Sequence, residues 1–192
     1  MTIKEKYSGL SREQLLDKVY QLGVDFERYS GSCSQCTVAA LQEILGFEPV
    51  IVKIASSSCG GHAGFSVGTC GAVVGGTIVL DYYLGRPADL LSATRGIPEG
   101  ENALTRAMEA AGVFSKKFHD KYGSILCPQV QKKLFGRAFN LQDPSDWNAF
   151  LAAGGHADPT KCMSVVGDSA RWVLEMLLGK QRTLLTIVTN QE

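Results

Sequence analysis

Apolar residues recur at helical spacing along most of this chain, and the breaks between the repeats are punctuated by glycine, proline and serine. Leu15, Val19, Leu22 and Phe26 follow Ser11 and Gln14, a capping-box pair, and predict a helix from Ser11 to about Ser30-Gly31. Ser32 reads as the N-cap of a second helix, Cys33 to Leu45, with Val38, Leu41, Ile44 and Leu45 as its apolar face and Gly46 as its stop. Glu48-Pro49 opens a short third helix through Ile54-Ala55, although Val50-Ile51-Val52 also fits a strand, because short apolar runs are ambiguous. Residues 56–69 form a loop of small residues, and Thr69 is the expected cap of a helix from Cys70 to about Leu84, closed by Gly85.

After a connecting segment, residues 86–100, a long helix is expected from Glu101 to Tyr122. Its stripe is Leu104, Met108, Ala111, Phe114, Phe118 and Tyr122. Cys127-Pro128 opens the next helix, with proline at its favoured first position. A short helix spans Pro144 to Ala152, and Thr160 caps a last strong one, Lys161 to Leu178, carrying Met163, Val166, Ala170, Val173, Leu174 and Leu177. The tail, residues 180–192, holds the β-prone run Leu184 to Val188 and reads as an extended arm or a segment pairing across a dimer. The pattern predicts one all-α domain over residues 1–192, a bundle of six or seven helices.

Composition narrows the class. With 192 residues, 45% apolar and 20% charged, the chain is long enough for a core of its own and ordinary for a soluble globular protein. Nineteen basic residues balance nineteen acidic ones, so neither a nucleic acid nor an anionic membrane is the expected partner. The N-terminal residues lack the apolar core of a signal peptide, and the longest apolar stretch, Ala72 to Leu84, is too short and interrupted to span a bilayer. A cytoplasmic location follows as the expectation, and there cysteines stay reduced and serve metals or catalysis more often than structural disulfides.

The cysteines therefore carry the chemistry. Cys33, Cys36, Cys70, Cys127 and Cys162 all fall at expected helix starts, and Cys59 lies in the glycine-rich loop. A helix N-terminus favours an anion, so a thiol placed there is expected to ionise more readily and to serve as nucleophile or metal ligand. Cys33 and Cys36 form a CxxC, a candidate redox dithiol, but a helix rather than a strand precedes it, against a thioredoxin-like context. Its bland counterpart is a pair of buried cysteines acting as small hydrophobes. Cys70-Gly71-Ala72-Val73-Val74-Gly75 offers a bare helix face to a neighbouring helix or a cluster. Lys161 beside Cys162 should further favour the thiolate. Thiols scattered from 33 to 162 suit an iron–sulfur cluster better than structural zinc, whose ligands come in close pairs. Cys59 and His62 are possible additional ligands, while His119 and His156 read as solvated and outside the site. No P-loop, GxGxxG, HExxH or CxxCH motif is present, and no acid/base carboxylate pair stands out.

From about Phe26 to Leu178 the chain resembles the C-GCAxxG-C-C family of redox-active proteins. Ser30-Gly31-Ser32-Cys33-Ser34-Gln35 is similar to the family's opening segment, and Ser57-Ser58-Cys59-Gly60-Gly61 to its glycine-rich loop. Cys70-Gly71-Ala72-Val73-Val74-Gly75 resembles its CGAxxG stretch. Cys127 follows a Phe-x-x-Lys-Tyr-Gly-Ser run, and Cys162 opens the last helix. The resemblance implies a redox role with Cys33, Cys70, Cys127 and Cys162 as the shared metal or iron–sulfur ligands. Cys36 and Cys59 are departures, at places where the family usually has small residues. The expected function is that of an iron–sulfur protein for electron transfer or reductive chemistry under anaerobic conditions. The alternatives are a Cys33/Cys36 thiol–disulfide oxidoreductase and a non-catalytic metal-binding or metal-sensing module holding zinc. Whether the chain is an enzyme stays open; an unidentified electron donor or acceptor and a homodimer are the expected partners.

Overall fold

The computed structural model describes residues 1–91 and 98–189, with side chains in the last helix as far as Gly179. Among the described residues there are eight α-helices and no β-strand. They are α1 (Arg12–Ser30), α2 (Cys33–Leu45), α3 (Pro49–Ile54), α4 (Gly71–Leu84), α5 (Pro98–Tyr122), α6 (Cys127–Phe135), α7 (Pro144–Ala152) and α8 (Cys162–Thr189). The all-α expectation holds, with more than six or seven helices because the short α3 and α7 both form. No helix among the described residues is long and apolar enough to cross a membrane.

Local signals account for most boundaries. The Ser11 side chain accepts from Gln14 N, and the Gln14 side chain accepts from Ser11 N at 2.8 Å, closing the capping box of α1. Gly31 and Gly46 end α1 and α2 with φ of 64° and 68°, the left-handed conformation that glycine reaches without a Cβ clash. Asp143 caps α7 by accepting from Ser145 N and Asp146 N.

Several expectations are corrected. Ser32 is the N-cap residue of α2 as expected, but its hydroxyl donates to Ser56 O rather than capping, tying the start of α2 to the loop beyond α3. The cap residue of α4 is Cys70, not Thr69. Thr69 is drawn into an isolated bridge with Leu126, flanked by Cys70 N to Ile125 O at 2.8 Å and Cys127 N to Gly68 O at 2.9 Å. In α5 the buried face is Ala103, Ala107, Ala110, Phe114, Phe118 and Tyr122, while Leu104 and Met108 are exposed. The alanines match the period as well as the larger residues do. The run Leu184 to Val188 lies inside α8, so the strand-prone arm is helical. With no strand among the described residues to pair with, its backbone polar groups find partners only by continuing the helix.

The helices close on one core formed by α1, α2, α4, α5 and α8. α1 lies along α8, and α2 sits against α1, α4 and α8. Small residues set these approaches. A Cβ on Gly23 would meet Gly167 Cα at 3.0 Å, one on Gly75 would meet Ser34 O at 2.4 Å, and one on Gly76 would meet Phe114 Cζ at 2.4 Å. The Gly75–Gly76 pair thus lets α4 touch α2 on one side and α5 on the other. Gly76→Ala is expected to lower stability by about 1–3 kcal/mol through overpacking against the fully buried Phe114 ring. A denaturant midpoint unchanged from wild type would overturn that account.

Candidate functional site

Four cysteines mark helix starts, and the fold brings those starts together. Cys33 is the first residue of α2, Cys70 caps α4, Cys127 is the first residue of α6, and Cys162 is the first residue of α8. With Cys59 from the loop after α3, they line one cavity of about 200 Å³. Glu27, Gln131 and His156 supply polar groups to the same cavity, and Val130, Val165, Leu141, Trp147 and Phe150 are among its apolar walls.

Backbone geometry makes room for the sulfurs. A Cβ on Gly71 would sit 2.4 Å from Cys33 Sγ, and one on Gly61 would sit 2.7 Å from Cys127 Cβ. The loop carrying Cys59 turns through consecutive positive-φ residues from Gly60 to Gly64, including His62 at 77° and Ala63 at 48°, and again at Ser66 at 57°. Such conformations cost a non-glycine residue about 1–2 kcal/mol each, and they persist where surrounding contacts hold them. Here Ser66 N donates to Gly60 O, Gly68 N to Gly61 O and Leu141 N to Gly64 O. The result aims Gly60 N at Cys33 Sγ, 3.5 Å away. On the opposite wall Gln131 Nε2 donates to Cys127 Sγ at 3.5 Å and to Ser66 Oγ at 3.2 Å. Gln131 is itself fixed by Phe139 N, which donates to its Oε1 at 2.7 Å.

The expected acidification of these thiols is reversed. Burial pushes Cys33 and Cys162 well above the ordinary 9.0, Cys70 up to about 12 and Cys127 up to about 11. The desolvation cost of a thiolate exceeds what a helix terminus returns. Lys161 does little for Cys162, because its ammonium donates to Leu134 O and lies 5.3 Å from the Phe135 ring centroid. Without a cation in the cavity the thiols stay protonated. A bound metal reverses this, since a coordinated thiol is deprotonated outright.

Cys36 does not line the cavity. It is 2% exposed within α2, its thiol reaches the Glu27 carboxyl, and burial pushes its pKa far up. All six cysteines are free thiols. His62 is exposed on the loop and does not line the cavity.

Beyond Gln131 and the apolar walls, two titratable lining residues escaped the sequence reading. His156 is not solvated but packs between Trp147 and Phe150, with ring centroids at 5.7 and 5.2 Å, and burial lowers its pKa. Nothing in Gly154-Gly155-His156 announces this, because its partners come from α7 and from Gly31. Glu27 is 2% exposed at the end of α1. Its signal was legible: Leu16, Val19, Gly23 and Glu27 lie on one helical face, and a carboxylate on a buried stripe needs a reason.

Among the described residues no three His, Cys, Asp or Glu side chains come close enough to hold a single metal ion. The sulfurs stand around a space rather than around a point. A single zinc needs four ligands within about 2.3 Å of one centre. A cluster of several irons takes one protein ligand per metal, so thiols spread over the walls of a glycine-cradled cavity fit it.

No curated protein and no solved structure matches this chain. A family model described as "Putative redox-active protein (C_GCAxxG_C_C)" matches residues 31–176, from the glycine turn before Cys33 into α8. The family's name writes glycine before cysteine, whereas this chain reads Cys70-Gly71-Ala72-Val73-Val74-Gly75, with the two transposed. The space a side chain at position 71 would need is the space Cys33 Sγ fills. With the match covering most of its length and all of its cavity-lining cysteines, this chain belongs to the C_GCAxxG_C_C family of redox-active proteins.

Proposed function

We propose that the cavity holds an iron–sulfur cluster through Cys33, Cys70, Cys127 and Cys162, with Cys59 as a further thiol on its wall, and that the protein transfers electrons or carries out reductive chemistry. One observation carries this reading: five thiols from five separate chain segments line a single cavity. The family's redox description agrees with it. When bound, such a cluster supplies one-electron reduction and oxidation at a potential set by its surroundings.

The chain's own residues do the rest. At the start of α4 the N–H groups of Ala72 and Val73 reach the Cys70 sulfur, which favours its negative charge. Gly60 N and Gln131 Nε2 donate to two of those sulfurs, and donors of this kind raise a cluster's potential. Trp147, Phe150, Val130 and Val165 give the cavity apolar walls. Geometry favours a cluster over a single zinc ion for the reason given above.

Protein purified anaerobically and reconstituted with iron and sulfide should contain both elements and show visible charge-transfer absorption. Colourless protein that takes up no iron would overturn the reading. Zinc at one equivalent without a redox transition would favour a metal-binding module instead.

A further inference from the structure

The cavity has one wall that is not sulfur. Glu27 projects from the last turn of α1, is 2% exposed, and lines the cavity with the five cysteines. Its Oε2 has no hydrogen-bond partner among the described residues. Burying an ionised carboxylate without a partner is among the costliest arrangements in a protein interior. No lysine or arginine among the described residues pairs with it. The nearest basic group is His156, whose Nε2 lies 3.6 Å from Glu27 Oε1. That imidazole is itself kept in place: it lies against Gly31, where a Cβ would sit 2.9 Å from its Cε1, and against the Trp147 and Phe150 rings. The Cys36 thiol approaches the same carboxyl from within α2. His156 and Cys36 thus flank the carboxyl, while Oε2 stays without a partner beside the cysteine-lined cavity.

We infer that Glu27 is a protein ligand to one iron of the cluster through Oε2, with His156, 3.6 Å from Oε1, as the positioning residue on its other side. This rests on the cluster reading above and extends it. With the four thiolates, Glu27 would make a fifth protein ligand, so one iron would carry an oxygen donor besides sulfur. On binding, the carboxyl gives its proton to solvent and the iron supplies the missing positive charge. No electron moves in this step. The carboxylate is a harder donor than a thiolate, so this iron is the one suited to exchange a ligand for a small oxygen- or nitrogen-donor substrate, which gives reductive chemistry a place to occur.

The test uses the reconstituted full chain and Mössbauer spectroscopy of wild type, Glu27→Gln and Glu27→Cys, with iron and sulfide measured on each sample. Wild type should show one iron subsite with a distinct isomer shift, Glu27→Gln should lose that subsite or the iron that gives it, and Glu27→Cys should retain iron with a uniform thiolate-like spectrum. Superimposable spectra of wild type and Glu27→Gln at equal iron content would overturn the inference and leave the cluster reading intact. If Glu27→Gln takes up no cluster, Glu27→Cys decides: restored iron supports ligation, and failure to restore it overturns ligation. Wild type that binds no iron overturns the cluster reading and this inference with it. His156→Gln should keep its iron but shift the distinct subsite alone; a spectrum identical to wild type removes His156 from the positioning role.

Discussion

Serine at Cys33, Cys70, Cys127 or Cys162 is expected to lower iron bound per chain by on the order of tenfold or more, whereas serine at Cys36, whose hydroxyl can still donate to the Glu27 carboxyl, lowers it far less. The magnitude follows from the roughly 10–100-fold losses that removing even a supporting partner of a metal ligand causes. The contrast follows from position. Four of these thiols line the cavity, and Cys36, although it belongs to the CxxC, is packed within α2 and turned toward Glu27. A Cys36→Ser protein that loses its iron while a Cys70→Ser protein keeps it would invert the assignment. A reversible disulfide between Cys33 and Cys36 governing all redox activity would support the dithiol mechanism instead. Helical circular dichroism on each variant separates loss of ligand from loss of fold.

Metal-free protein should lose stability as pH rises through neutrality, and Glu27→Gln should remove that loss. Burial raises the Glu27 pKa from 4.5 to about 7. The folded chain therefore keeps a proton that the unfolded chain releases, so the stabilising effect is full below about 4.5 and is lost as pH rises through about 7. Each tenfold change in proton affinity is worth about 1.4 kcal/mol, so the loss comes to roughly 3 kcal/mol. Burial lowers the His156 pKa and so opposes this slope at acid pH, which is why the variant comparison isolates the Glu27 part. The buried thiols add a further loss at alkaline pH for the same reason of sign, since each keeps its proton in the fold beyond the pH at which a free thiol ionises. Urea midpoints across about pH 5 to 8 under reducing conditions check this; a Glu27→Gln protein with the wild-type slope would rule out Glu27 as its source.

The sequence made the helix ends readable because they are local events. A capping box at Ser11 and Gln14, left-handed glycines at 31 and 46, and a proline after Cys127 each act within a few residues. The cysteines were legible for a related reason, since thiols at helix starts stand out without any knowledge of packing. What stayed hidden depended on distant neighbours. Thr69 was taken from its capping role by Leu126, and the Phe114 ring of α5 lies where Gly76 of α4 leaves room for it. His156 became part of the cavity through a turn more than a hundred residues away. The thiols proved less acidic than their positions suggest for the same reason: the helix terminus is local, while burial belongs to the whole fold.

The cavity draws its walls from α1 and from the start of α8, and α1 and α8 meet where Gly23 faces Gly167. Those two are the first and last α-helices among the described residues. During synthesis the early thiols at 33, 59 and 70 emerge long before Cys162, and domains mature as units rather than piecemeal. A partly made chain thus presents thiols without the enclosure that would organise them. If the cavity holds a metal as proposed, its loading is expected to be a late event, and a chain cut short before α8 would lack the Cys162 wall.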